Sequence, residues 1–126
     1  MKLEHAAVYV SDLELMKNFY LKYFGAAAND MYHNKTTGLK TYFLTFEDGA
    51  RLELMTRPDI KGRSLAGGFG YVHIAFRLGS EERVNELTLE LEHDGYTVSS
   101  RPRTTGDGYY ESCILDPEGN QVELVA

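Results

Sequence analysis

This chain holds a single cysteine, Cys113, in 126 residues. One thiol cannot close an internal disulfide, so no disulfide framework supports the fold, and the count fits a reducing compartment. Positive charge is also short. Thirteen Lys and Arg against 19 Asp and Glu leave a formal net charge of −6. No basic stripe runs along any segment, which argues against nucleic acid or an anionic membrane as the main partner. No apolar run approaches a membrane span, and the opening MKLEHAAVYVSD reaches charged residues too early for a signal peptide. Low-complexity segments are absent as well. The expectation is a soluble, cytoplasmic protein, and 43% apolar residues are enough for a real core.

What is present is a pattern that occurs twice. LEHAAVYV at 3–10 reads as a strand, and SDLELMKNFYLKYFG as a helix with Ser11 capping it and Glu14 at capping-box spacing. Met16, Phe19, Tyr20 and Tyr23 form one apolar face, and Gly25 supplies a left-handed stop. Strand-like pieces AAANDMYHN, KTYFLTF and ARLELMT follow, the last after an Asp48-Gly49 turn. A turn-rich connector at 58–70 separates this module, 1–57, from a second at 71–126. There YVHIAFRL reads as a strand and SEERVNELTLELEHDG as a helix capped by Ser80 and stopped by Gly95. YTVSS, YYESCIL and QVELVA close the chain as strands. Each half therefore reads strand, helix, strand, strand, strand.

The halves match at nearly fixed offsets. His5 and His73 lie 68 residues apart, each the third residue of its half's first strand. Gly25 and Gly95, Gly49 and Gly119, and Glu53 and Glu123 each lie 70 apart, the glutamates within RLELM and QVELV. A repeat of this period means two similar supersecondary units. A lone glutamate on a strand's wet face is ordinary. A histidine in the first strand and a glutamate in the last, recurring in both halves, is a two-fold-related set of four donors. Two imidazole nitrogens and two carboxylates suit one divalent ion such as Ni²⁺, Co²⁺, Zn²⁺, Fe²⁺ or Mn²⁺.

With these strings, LDPEGNQVEL and DLELMKNFYLKYFG among them, the sequence resembles the vicinal oxygen chelate superfamily along essentially its whole length, and most broadly its glyoxalase I and bleomycin-resistance branch. The resemblance implies an α+β fold of paired βαβββ modules forming a cupped mixed β-sheet as a single domain, 1–126. It also implies a metal held by His5, Glu53, His73 and Glu123, and homodimers that complete their sites across the interface. The His/Glu/His/Glu set looks most like glyoxalase I. There a metal-bound glutamate moves a proton between adjacent carbons of a hemithioacetal through an enediolate, which makes Glu123 and Glu53 the catalytic candidates. Fosfomycin-modifying relatives typically use two histidines and one glutamate. Two positions depart from the bacterial glyoxalase I pattern. Tyr9 stands where an arginine holds the glutathione carboxylate, and Arg57 stands where an asparagine is usual. Either the cation has moved to Arg57 or the cosubstrate is not glutathione.

Arg101 and Arg103, in SRPRTTGDGYY, are read onto a glycine-containing loop, either solvated or acting as a lid for an anionic substrate. With Arg57 and Tyr9 they complete the candidate substrate contacts. Cys113 reads as a small buried side chain, His93 as an exposed cation at a helix end, and Tyr109 and Tyr110 as either lining or packing. Two function classes stand: a metal-dependent lyase or isomerase acting on a small vicinal-oxygen substrate such as a thiol adduct, and a bleomycin-resistance-type protein that sequesters a ligand without chemistry.

Overall fold

The computed structural model describes residues 3–62 and 69–126. Two compact units divide the chain, Met1–Gly67 and Gly68–Ala126. Part of the connector expected over 58–70, residues 63–68, lies outside the described residues.

In the first unit, β1 (Ala6–Tyr9) leads into α1 (Leu13–Phe24). Four strands follow: β2 (Ala27–Ala28), β3 (Tyr32–His33), β4 (Lys40–Thr45) and β5 (Arg51–Thr56). The sheet order is β1-β5-β4-β2, with β3 also on β4. β1 runs parallel to β5 and the remaining pairs are antiparallel. The strand expected over AAANDMYHN is two residue pairs instead of one run. Asn29 interrupts it: its side-chain oxygen accepts from the Phe43 N–H at 2.7 Å while its own N–H donates to the Phe43 carbonyl. A side-chain oxygen that takes the partner strand's amide in this way replaces a backbone carbonyl of the ladder.

The second unit repeats the plan without that interruption. β6 (His73–Arg77), α2 (Glu81–His93), β7 (Val98–Thr104), β8 (Tyr110–Leu115) and β9 (Gln121–Val125) form a sheet of order β6-β9-β8-β7. β6 is parallel to β9. Both sheets are mixed, so the fold is α+β, with two mixed sheets and two helices among the described residues.

The helix boundaries follow side-chain chemistry. Asp12, not Ser11, caps α1: its carboxylate accepts from the Leu15 N–H at 2.9 Å. Glu14 is thereby released from a capping box and bonds Lys17 and Tyr42 instead. Gly25 ends α1 at φ +62°, a left-handed conformation that costs glycine nothing. Ser80 caps α2 as its position predicts, accepting from Arg83 N–H at 3.2 Å.

Each helix covers one face of its own sheet. Met16, Phe19 and Tyr20 of α1 are buried with Leu44, Leu52 and Leu54. Val84, Leu87 and Leu91 of α2 are buried with Ile114, Val122 and Leu124. Fully burying one such side chain contributes roughly 1.5–3 kcal/mol. Because strand side chains alternate, Leu52 and Leu54 inward put Glu53 on the opposite face, and Val122 and Leu124 do the same for Glu123.

The turn before each last strand is built identically. Phe46 N–H donates to Ala50 and Gly49 N–H to Phe46. Asp116 N–H donates to Asn120 and Gly119 N–H to Asp116. Gly49 and Gly119 sit at φ +82° and +78°. In the second turn Asp116 is buried and its carboxylate accepts from Glu118 N–H, Asn120 N–H and Asn120 Nδ2 at 2.8–3.0 Å. These turns fix the phase of β5 and β9, and with it the side on which each glutamate emerges.

Candidate functional site

The parallel ladders decide what stands beside each glutamate. Ala7 is the register partner of Glu53, and Ala75 of Glu123. His5 and His73 each precede that alanine by two residues, so each histidine shares a face with its glutamate and lies diagonally from it. His5 is the residue just before β1 and His73 is the first of β6, so neither is third in its strand as the sequence led us to expect. The methyl side chain between each pair leaves the space for them to meet.

They do meet, within each unit. His5 Nε2 lies 3.7 Å from Glu53 Oε2, and His73 Nε2 lies 3.2 Å from Glu123 Oε2. Both glutamates are largely shielded, with side chains 15% and 20% exposed, while the imidazoles remain more open. Two donors each about 2.1 Å from a common ion stand about 3 Å apart at an octahedral right angle and about 3.4 Å apart in a tetrahedron. The His73–Glu123 pair falls in that range, and His5–Glu53 needs a shift of a few tenths of an ångström. The donor chemistry therefore fits a borderline divalent ion, with each unit offering one nitrogen and one oxygen. Among the described residues no group of three or more His, Cys, Asp or Glu side chains is arranged to hold a metal.

The two pairs differ in their surroundings. His5 Nδ1 bonds the Glu4 carboxylate, which also takes Arg51. A carboxylate on one ring nitrogen fixes the tautomer and leaves the other as a lone-pair donor, the usual support of a metal-binding histidine. The His5 ring stands edge-on to Phe43 with centroids 5.2 Å apart, and the Arg51 guanidinium lies 4.5 Å from the Phe43 centroid. Phe43 faces Glu53 across β4–β5. At the matching place in the second unit Cys113 faces Glu123, and its Sγ lies 3.6 Å from Gln121 Oε1. The first pair has an aromatic wall and the second a small thiol beside a polar amide. Sequence reasoning passed over Glu4, Arg51, Phe43 and Gln121. Phe43 and Cys113 lie 70 residues apart, so the repeat itself carried a signal for that pair.

The three arginines separate. Arg57 lies 5.9 Å from the Tyr9 ring centroid, which joins two of the candidates, but Asp59 grips its Nε and Nη2 at 2.5 and 2.9 Å. Hydrogen bonding to Arg57 holds the Asp59 carboxyl below its ordinary range. Arg101 and Arg103 lie in β7 rather than on a loop, because that strand runs to Thr104 where the sequence pattern suggested an end at Ser100. Arg101 pairs through both terminal nitrogens with Glu92 of α2. Arg103 bonds Ser100 Oγ at 2.6 Å and lies 3.6 Å from Glu111. Tyr110 packs toward α2, its hydroxyl 2.9 Å from Asn85 Oδ1, and Tyr109 is exposed. His93 is the last residue of α2 and exposed, as expected.

The sequence profile of the Glyoxalase/Bleomycin resistance protein/Dioxygenase superfamily matches residues 2–124. The chain belongs to this superfamily. An uncharacterized protein of Bacillus subtilis (strain 168), YqjT, is 30% identical over 130 residues, covering 98% of each chain. Among solved structures, the fosfomycin resistance protein FosX of Listeria monocytogenes, complexed with Mn(II) and sulfate, is 25% identical with a TM-score of 0.73. The match covers 99% of this chain and 91% of that one. Glyoxalase I from Zea mays is 22% identical with a TM-score of 0.78, over 98% of this chain and 44% of that longer one. The superfamily membership agrees with the resemblance read from the sequence, and these likenesses agree with the fold. Among the described residues no helix is long and apolar enough to cross a membrane.

Proposed function

We propose that this superfamily member is a metal-dependent enzyme of the glyoxalase I type, a lyase or isomerase that moves a proton between adjacent carbons of a small substrate with vicinal oxygens. The observation that carries the reading is the duplicated His–Glu pair. The same two residue types stand at the same ladder register in each unit, on the face its helix leaves uncovered. His5, Glu53, His73 and Glu123 would together hold one divalent ion, with the second pair supplied by the same chain or by a second copy. A divalent ion there would supply Lewis acidity to vicinal oxygens and so lower the pKa of the adjoining C–H.

The chain's own residues would do the rest. Glu123 would take the proton from the first carbon as general base, and Glu53, its counterpart, would act on the neighbouring one. His5 and His73 orient the carboxylates, and Phe43 bounds the site on one side and keeps water from it. A hemithioacetal formed from a thiol and an α-ketoaldehyde has the required acidic C–H beside vicinal oxygens. Tyr9 and the Asp59-bound Arg57 favour a thiol other than glutathione.

The test is metal content and proton exchange together. Protein purified without added metal should retain close to one divalent ion per site by mass spectrometry. It should also exchange the substrate α-proton with deuterated water. Metal-free protein that still binds small ligands would favour the sequestering reading. The likeness to FosX supports a second reading, fosfomycin inactivation. Glu53 weighs against it, since that activity resembles sites with one glutamate. Loss of fosfomycin on incubation with the Mn-loaded protein would decide for it.

A further inference from the structure

β7 and β8 do not pair in a constant register. Val98 faces Ile114, Ser100 faces Cys113 and Arg103 faces Glu111, with an irregularity in each interval. A bulge in a strand turns the following side chains to the other face. Ile114 is buried against the helix side, whereas Cys113 and Glu111 lie on the side of Glu123, since Cys113 faces Glu123 and Glu111 faces Val125. The partners agree with this. Arg101 reaches Glu92 on α2, and Arg103 reaches Ser100 and Glu111 on the opposite face. Two arginines spaced to share a face are sorted onto different ones.

We infer that Arg103, with the Ser100 hydroxyl, is the anion subsite for the substrate handled at Glu123; this deepens the proposed function and rests on it for the identity of the reacting end. Arg57 and Arg101 each have two guanidinium nitrogens bonded to one carboxylate. Among the described residues Arg103 makes one side-chain hydrogen bond, to Ser100, and an ion pair with Glu111 that is longer than a hydrogen bond. Its planar fork is thus available for a bidentate grip on a carboxylate, phosphonate or phosphate. Glu111 tempers the local potential and holds the guanidinium over this face. Two strand spacings, about 10 Å, separate the strand of Arg103 from that of Glu123. The favoured substrate class is therefore a small acid whose anionic group lies several bonds from its vicinal oxygens.

The probe is inorganic phosphate, titrated into the full chain and followed by the backbone amide signals of Ser100, Glu111 and Cys113. Wild type should show saturable shifts there. Arg103→Ala should weaken phosphate at least tenfold, and Arg103→Lys should fall between, keeping the charge without the fork. Glu111→Gln should tighten it by removing the competing carboxylate. Arg101→Ala should bind as wild type does. No saturable shift in wild type, or equal binding by Arg103→Ala, would overturn the inference. Metal content measured on the same samples separates the two readings. Arg103-dependent phosphate binding without a divalent ion would sink the metalloenzyme and leave the subsite standing.

Discussion

Cys113 stands directly across the β8–β9 ladder from Glu123, in the place that Phe43 takes across from Glu53. The thiol is 7% exposed and rests against Gln121. It therefore fills space beside the proposed base and lacks the open, electropositive setting of a reactive cysteine. Cys113→Ala should keep turnover and metal content and lose less than about 1.5 kcal/mol of stability. An aromatic disulfide reagent should label wild type far more slowly in buffer than in urea. Rapid labelling of folded protein would put the thiol in the chemistry.

Glu123→Gln keeps size and one oxygen donor but removes the basic carboxylate. Turnover should fall by about 100-fold or more, in the range of a lost general base, with bound metal reduced only moderately. His5→Ala and His73→Ala should lower metal affinity more steeply, because a nitrogen donor is lost outright. Full activity in Glu123→Gln would return that residue to the wet face of an ordinary strand.

Thr88 Oγ1 donates to the Val84 carbonyl at 2.6 Å and lies 2.7 Å from Ser112 Oγ, with both side chains buried between α2 and β8. Thr88→Val strands the serine hydroxyl and should cost about 1–3 kcal/mol in urea unfolding. Adding Ser112→Ala removes the stranded group and should recover part of the loss. Additive losses would mean that the two hydroxyls do not depend on each other.

Glu14 joins Lys17 and Tyr42 where α1 meets β4. Hydrogen bonds from Lys17 and then Tyr42 lower the Glu14 pKa in the folded protein. A depressed carboxylate contributes stability that is present above its unfolded pKa, near 4.5, and is lost as pH falls through the lower folded value. Glu14→Gln should therefore melt below wild type at pH 7, and the gap should be narrower at pH 3. Melting curves at the two pH values check this, and a gap unchanged at pH 3 would contradict it.

Among the described residues β1 and β6 each pair on one side only, and Tyr9, Tyr71 and Val72 in and before these strands are exposed. Open strand edges with apolar side chains favour association with a second copy. Sedimentation of the metal-loaded protein at micromolar concentration should give a homodimer. A monomer under those conditions rules it out.

Much of this was written into the residue order. Leu52, Leu54, Val122 and Leu124 alternate with polar neighbours, so a period of two placed Glu53 and Glu123 off the core before any contact was known. Gly49 and Gly119 marked the turns because only glycine enters their positive-φ conformation cheaply. Ser80 was legible as a cap. Ser11 was misread as one, since Asp12 beside it takes the Leu15 N–H and the helix begins one residue later, at the buried Leu13. Only the tertiary structure decided that each histidine meets its glutamate, because their closeness depends on a parallel ladder between strands more than forty residues apart. The faces of Arg101 and Arg103 were equally hidden. Sequence spacing is blind to a bulge, which exists only relative to the partner strand, and it is the pairing of β7 with β8 that turned one arginine to the helix and the other toward Glu123.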